Sequence, residues 1–483
     1  MQAPTLDSIA KLEEQLTKRF DSKLLVNPDL NRSLVSFQAN KRKSGFRWFK
    51  YKEGFSAGLV DYILAHLGID SGTLLDPFAG SGAALFVASN VGLSSVGIEL
   101  LPVGKEIINC RKHAMNGHSA EIKKALNRWI KTKPWTTKKP GQAFSHLRIT
   151  NGAFPIETEV ALGKYRAAIN REENPEIQDI LRFAVMCILE EISYTRKDGQ
   201  YLRWDQRSGR RQGARPFDKG MIYSFDEAIE RKLTQICSDM GEEQPTLFGD
   251  TKPKGDVDVL VGSCLDQLPQ LDAGSIDCLI TSPPYCNRYD YTRTYALELA
   301  FLGTDEDRIK ELRQAMVTCT VENREKTDLD SRGNNPSLFA KAERAFQEQM
   351  LINSIIQYLE DRKAAKLLNN TGIPRMVRGY FREMSLVIFE CARVLKPGAP
   401  LVMVNDNVRY EGAGVPVDLI LSDIAEQAGF EIEKIWVLPV GKGNSSQQMG
   451  KHGRDELRKC VYIWRAPKGK RAKKQAPRLV VQQ

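Results

Sequence analysis

Two short runs in this chain carry residue types and spacings that suit chemistry. Thr281-Ser282-Pro283-Pro284-Tyr285 sets a hydroxyl, a carbonyl between two prolines and an aromatic ring within a few residues. Consecutive prolines stiffen the chain and have no N–H, so nearby carbonyls are free to accept from a ligand. That set matches an amino group on a flat heterocycle: two acceptors for its N–H bonds and a face to stack on. The second run is Asp76-Pro77-Phe78-Ala79-Gly80-Ser81-Gly82. Glycines directly after a strand let the backbone approach a bound cofactor, and the next helix presents its free N–H groups there. The spacing is not the G-x-G-x-x-G of a dinucleotide loop. Seventeen residues past Gly82 stands Glu99, a carboxylate placed to accept both hydroxyls of a ribose. Taken singly, each of these features is also compatible with an ordinary turn or an exposed strand-end charge.

The elements around them are those of an α/β protein. FSAGLVDYILAHLGI has helical apolar spacing, TLLD reads as a short buried strand, AALFVASNVG as a helix and SSVGIEL as the next strand. This β-loop-α-β unit opens a doubly wound parallel sheet. After Pro102 the rhythm stops for about 150 residues and resumes with VDVLVGSCLDQLPQLDAGSIDCLITSPPY. A second interruption, 302–375, is rich in charge and helix formers. A helix, YFREMSLVIFECARVL, then a strand, LVMVND, a helix and two final strands, EIEKIWVLPV and KCVYIWRAP, close the pattern. The expected fold is a Rossmann-like, seven-stranded doubly wound sheet with two insertions.

Composition narrows the class. Seventy Lys and Arg against 60 Asp and Glu give a formal charge of +10, a sign that suits a polyanionic partner. Nine scattered cysteines form no C-x-x-C pair and there are only five histidines, which argues against a structural zinc site and for a reduced compartment. No metal is expected. The N-terminus reads as a charged amphipathic helix rather than a signal peptide, and no apolar run is long enough to span a bilayer. A soluble, cytoplasmic protein is expected.

DPFAGSG, GIEL and LITSPPY together resemble the amino-methyltransferases of DNA, which make N6-methyladenine and N4-methylcytosine. The form with Thr-Ser before the prolines resembles the N4-cytosine branch, whereas adenine enzymes more often carry Asp or Asn there. The resemblance spans 51–105, 256–300 and 376–466. It implies S-adenosyl-L-methionine as cofactor, held by Asp76, Pro77, Phe78, Gly80 and Gly82 at its methionine end and by Glu99 at its ribose. It further implies cofactor contacts from Phe55 and Ser56 before the first strand, and from Ser263 and Cys264 beside the adenine. Ser263 departs from the Gly-Asp of many relatives, and Ala83-Ala84 replaces a commoner pair of threonines. Ser282, Pro283, Pro284 and Tyr285 would be catalytic. Bonds from both amine N–H groups to Ser282 Oγ and the Pro283 carbonyl would turn the nitrogen lone pair toward the methyl donor, with direct transfer and no covalent enzyme intermediate.

Duplex DNA is the expected partner, with the target base flipped out, Tyr285 stacked on it, and Asn287, Tyr289, Asp290 and Tyr291 lining its pocket. The segments divide as 1–50, helical and basic; 51–105, the cofactor half; 106–255, a basic insertion proposed for target recognition; 256–301, the catalytic strand; 302–375, a helical insertion; 376–466, the rest of the sheet; and 467–483, a basic tail. Within the first insertion Arg196, Lys197, Arg203, Arg207, Arg210 and Arg211 form the densest cationic run, either a DNA-binding surface or a solvated face, and Trp204 is either core or wedge. A restriction nuclease or other defence protein is the expected associate. An adenine-N6 enzyme, an RNA amino-methyltransferase and a catalytically silent DNA-binding protein are the other readings. A C5-cytosine enzyme needs a nucleophilic cysteine after proline, and here Cys286 follows a tyrosine.

Overall fold

The structure, a computed structural model, describes residues 3–115, 119–198, 201–213, 215–240, 253–333, 335–439 and 457–468. The loop at 440–456 and the basic tail from 469 lie outside the described residues. Eight strands make the main sheet: β1 (Leu24–Val26), β2 (Thr73–Asp76), β3 (Ser94–Glu99), β4 (Val257–Val261), β5 (Cys278–Thr281), β6 (Pro400–Asp406), β7 (Glu431–Val437) and β8 (Lys459–Arg465). Their spatial order is β1-β7-β8-β6-β5-β2-β3-β4. All neighbours are parallel except β8, which runs antiparallel to both β6 and β7.

The α/β fold expected from the sequence is therefore present, with the two C-terminal strands forming the antiparallel closure. The eighth strand was not anticipated. β1 pairs its Leu24 to Ile435 and Val26 to Val437 at the sheet edge. Three residues, two of them exposed, are too few to display an alternating pattern.

Strand residues alternate between two apolar layers, as a sheet covered on both faces requires. Along β6, Val402 and Val404 enter the layer holding the helices Ala57–Leu67 and Ala83–Asn90, while Leu401 and Met403 enter the layer holding Ile373–Val394 and Val417–Gln427. The second insertion adds the helices Glu306–Ala315, Pro336–Glu348 and Met350–Ala364; the latter two extend that second layer. A buried ion pair, Lys326 Nζ to Glu383 Oε1 at 2.8 Å, ties the insertion to the sheet-covering helix.

The first insertion builds a third core around the helices Pro102–Met115, Ser119–Thr132, Ile156–Ile169, Pro175–Ile188 and Phe225–Asp239. Its tryptophans at 129 and 135 are core residues, each donating its indole N–H to a carboxylate, Glu172 and Asp226. The basic residues around them face outward, so this stretch is an amphipathic helix first and a charged surface second.

The topology fixes where a ligand can sit. From β2 the chain winds outward to β3 and β4, and it then returns to β5 on the other side of β2. The carboxyl ends of β2 and β5 flank this switch point, which in an open α/β sheet opens a crevice. Asp76 and Thr281, the last residues of those strands, face each other there: the Thr281 hydroxyl donates to Asp76 Oδ1 at 2.6 Å.

Candidate functional site at the switch point

The loop leaving β2 turns through two glycines with left-handed backbones, Gly80 at φ 54° and Gly82 at φ 74°. A side chain at either would collide with packed neighbours: a Cβ on Gly82 would stand 2.9 Å from Ile108 and 3.0 Å from Phe86. The buried Arg111 guanidinium donates to the Ser81 carbonyl from below, so the loop is held on its inner side. Asp76 also accepts from Phe78 N at 3.1 Å, and Glu99 accepts from Gly80 N at 2.6 Å and Leu101 N at 2.7 Å.

Glu99 thus clamps the glycine loop to the end of β3. Burial pushes its carboxyl up to about 8 and that of Asp76 up to about 7, although the hydrogen bonds to both favour the ionised forms. Folding therefore retains protons that the unfolded chain releases near pH 4. This stabilisation is complete below about pH 4 and is lost as pH rises through about 7 and 8. Melting of the ligand-free protein should accordingly fall across pH 5 to about 8.5, and Glu99→Gln should flatten part of that decline. An identical slope in the variant would mean that Glu99 ionises normally in the fold.

Above the loop lies a cavity lined by Pro77, Phe78, Gly80, Glu99, Ser263, Cys264, Ser282, Pro284 and Tyr291. One space therefore collects residues of the glycine loop, the end of β3, the turn after β4 and the Pro-Pro turn after β5, which lie up to 207 positions apart. Ser263 caps the short helix Cys264–Gln267 and donates its hydroxyl to the Ala315 carbonyl at 2.7 Å. Ser263 and Cys264 border the cavity, and the Ser263 hydroxyl is committed to the second insertion.

At the turn after β5, Pro283 and Pro284 are buried and Ser282 and Tyr285 are half-buried. Ser282 Oγ lies 3.2 Å from the Val404 carbonyl on β6 and 3.3 Å from the Tyr285 hydroxyl. A serine hydroxyl has one proton; given to Val404, it leaves the oxygen lone pairs able to accept. The Lys459 ammonium stands 5.7 Å from the Tyr285 ring centroid and pairs with Asp406 at 3.2 Å.

Other residues proposed from the sequence are placed differently. Phe55 is in the core and Ser56 caps the helix Ala57–Leu67, its hydroxyl donating to Leu34; neither lines the cavity. Tyr51 and Glu53, just upstream, do. Asn287 accepts from Tyr289 N, and the Tyr289 ring packs edge-on to Tyr291 at 4.9 Å. Asp290 does not line the cavity: it caps the helix Tyr291–Thr294 and pairs with Arg313 at 3.1 Å. Met316 and Val317, from the second insertion, complete the wall; no local signal in their sequence marks them.

The cationic run of the first insertion forms a two-stranded ribbon, Thr195–Asp198 with Tyr201–Trp204, packed against the helix Tyr291–Thr294 that follows the Pro-Pro turn. Arg196 and Arg203, opposite each other across the ribbon, both stack on Phe217, at 5.3 and 4.1 Å. Arg210 lies 3.4 Å over Trp204 and donates to Asn151. Arg207 is turned to the buried Asp205, which it grips with two nitrogens. Lys197 is not on the solvated face at all: it is buried against Glu298, with its ammonium 4.7 Å from the Tyr295 ring. Among the described residues, no His, Cys, Asp or Glu cluster is placed to hold a metal, and no helix is long and apolar enough to cross a membrane.

Comparison with known proteins adds the family. The chain is 50% identical over 464 residues to the type II methyltransferase M.AvaI of Nostoc sp. (strain PCC 7120), covering 96% of this chain and 95% of that protein. The same figures hold for M.AvaI of Anabaena variabilis. To the type II methyltransferase M.BsoBI of Geobacillus stearothermophilus it is 42% identical over 463 residues, covering 90% of this chain and 88% of the relative. No family model and no solved structure matches it. With identity of this order along almost its whole length, the chain belongs to the type II DNA methyltransferases.

Proposed function

We propose that the protein transfers a methyl group from S-adenosyl-L-methionine to the exocyclic amino group N4 of a cytosine flipped out of duplex DNA. The observation that carries this reading is the shared cavity: Gly80 and Glu99 on one side, Ser282 and Pro284 on the other. The glycine loop fits the methionine end of the donor, and the Glu99 carboxyl fits its ribose hydroxyls. The donor supplies an electrophilic methyl group, and everything else is positioning by this chain.

An aromatic amine is a poor nucleophile because its lone pair is delocalised into the ring. Ser282 Oγ, its own proton directed to Val404, accepts one amine N–H, and the Pro283 carbonyl accepts the other. The lone pair is thereby turned out of the ring toward the methyl group. A paired base cannot reach this turn, so the base leaves the duplex and stacks on Tyr285. The serine before the two prolines supports cytosine over adenine. Digestion of methylated product DNA and mass spectrometry test the assignment; N6-methyladenine would retain the mechanism and remove the cytosine preference.

The ribbon beside the catalytic turn is the proposed DNA-contacting surface. Arg196 and Arg203 are its exposed cations, pre-stacked on Phe217. Replacing both with alanine should weaken DNA binding and reduce the slope of log affinity against log salt by roughly two, if each meets a phosphate. Cofactor affinity should stay constant. An unchanged slope would move the contact surface elsewhere, to 302–375 or the tail. Arg207 is unsuited to this test, because its loss strands the buried Asp205 carboxylate.

A further inference from the structure

Amine methylation leaves a proton to be disposed of, and the catalytic turn has no group that takes one. As N4 bonds to the methyl carbon, the carbon–sulfur electron pair stays on the donor's sulfur, and the nitrogen becomes cationic. That charge is relieved as it develops when the proton departs in the same step, its N–H electron pair returning to nitrogen, so that losing the acceptor slows transfer itself. Serine and a proline carbonyl accept hydrogen bonds but not that proton.

The cavity holds two carboxyl groups, Glu99 and Glu53. Each Glu99 oxygen accepts a backbone N–H of the cofactor side, from Gly80 or Leu101. Asp406, the next carboxylate along, is paired with Lys459 and does not line the cavity. The remaining ionisable lining groups, Tyr51, Tyr291 and Cys264, are held protonated by burial. Glu53 shares the wall with Ser282 and Pro284, and its electrostatic neighbours, Tyr289, Lys459 and Asp406, belong to the catalytic side.

We infer that Glu53 is a catalytic residue of this enzyme, the carboxylate that takes the proton released from the methylated amine and passes it to water. The inference rests on the amino-group transfer proposed above. Its surroundings suit the task. Burial raises the Glu53 carboxyl above the ordinary range and makes it a better base, while the Tyr289 hydroxyl and the Lys459 and Lys52 ammonium groups favour the ionised form. Asp406 opposes them, and Tyr51, Tyr285, Tyr291 and Tyr295 also face it.

Single-turnover transfer from labelled donor to cognate duplex DNA tests this, at saturating concentrations and across pH 5 to about 9. Wild type should show an acid limb as the carboxylate protonates. Glu53→Gln should slow transfer about a hundredfold and erase that limb, with donor affinity within about twofold of wild type. Glu53→Asp should restore the limb at reduced amplitude, and formate should accelerate Glu53→Ala. A wild-type rate and pH profile in Glu53→Gln would overturn the inference. So would a loss confined to donor affinity, which would make Glu53 a cofactor ligand. Product analysis in the same reactions separates the two levels. An amino-methylated product with no Glu53 effect sinks this inference alone, whereas a carbon-methylated product sinks the function on which it stands.

Discussion

Gly80→Val will abolish S-adenosyl-L-methionine binding while the protein remains folded. Gly80 has φ 54°, a conformation that costs an L-residue roughly 1–2 kcal/mol and a β-branched one more. A Cβ there would stand 3.0 Å from Tyr51 Cε1 and 3.3 Å from its hydroxyl. Tyr51 has little room to retreat, because its ring stacks on Tyr295 at 5.1 Å and 19°, and Tyr295 is pinned by the Lys197 ammonium on its other contacts. The valine methyls must therefore go toward the cavity, or the loop must move and release Gly80 N from Glu99. Either outcome removes the surface proposed for the methionine moiety. Calorimetry on the folded variant should find affinity reduced by more than about two orders of magnitude, equivalent to ~3 kcal/mol. Circular dichroism should show native secondary structure. Unchanged affinity would remove the cofactor from this loop and relocate the donor site.

The same few residues show what a sequence can and cannot disclose. The glycine loop and the paired prolines were legible because their constraints are local. A left-handed turn after a buried strand, or a rigid turn without N–H donors, is written in adjacent residues. That the two turns share one cavity follows from the order of strands, which the alternation of apolar runs does not give and the folded sheet does. Glu53 was not legible. It sits two residues before Phe55, inside YKEGFS, where an acidic residue reads as surface, and only the gathering of Ser282, Pro284, Tyr291 and Met316 from distant segments makes it a pocket residue. Lys197 misled in the opposite direction. It lies in a cationic run and alternates with exposed arginines, yet the two-residue period of its strand turns it inward onto Glu298. Trp204 was open between core and wedge, and it is a half-buried platform for Arg210. Long-range pairing decided each of these cases.

Ser282→Ala separates chemistry from binding. The proposed role of the hydroxyl is one oriented hydrogen bond to the target amine, worth about 1.5–3 kcal/mol in the transition state, so transfer should slow by one to two orders of magnitude. The alanine also loses the contacts to Val404 and Tyr285, and Tyr285→Phe controls for the second of these. It retains the ring beside Lys459 and removes only the hydroxyl, so its transfer rate should remain near wild type. Tyr285→Ala should weaken capture of the flipped base, with a stacking loss of about 1–3 kcal/mol. DNA affinity should hardly move in Ser282→Ala, because phosphate contacts on the ribbon surface proposed above would dominate it. Single-turnover transfer from labelled donor, measured beside DNA binding, resolves these outcomes. A wild-type rate in Ser282→Ala would make the turn a structural support and remove its catalytic assignment. A slow Ser282→Ala with intact DNA and donor binding would place the loss in the methyl-transfer step. The hydroxyl that β6 holds in position through Val404 would then be the acceptor that turns the nitrogen lone pair toward the methyl group.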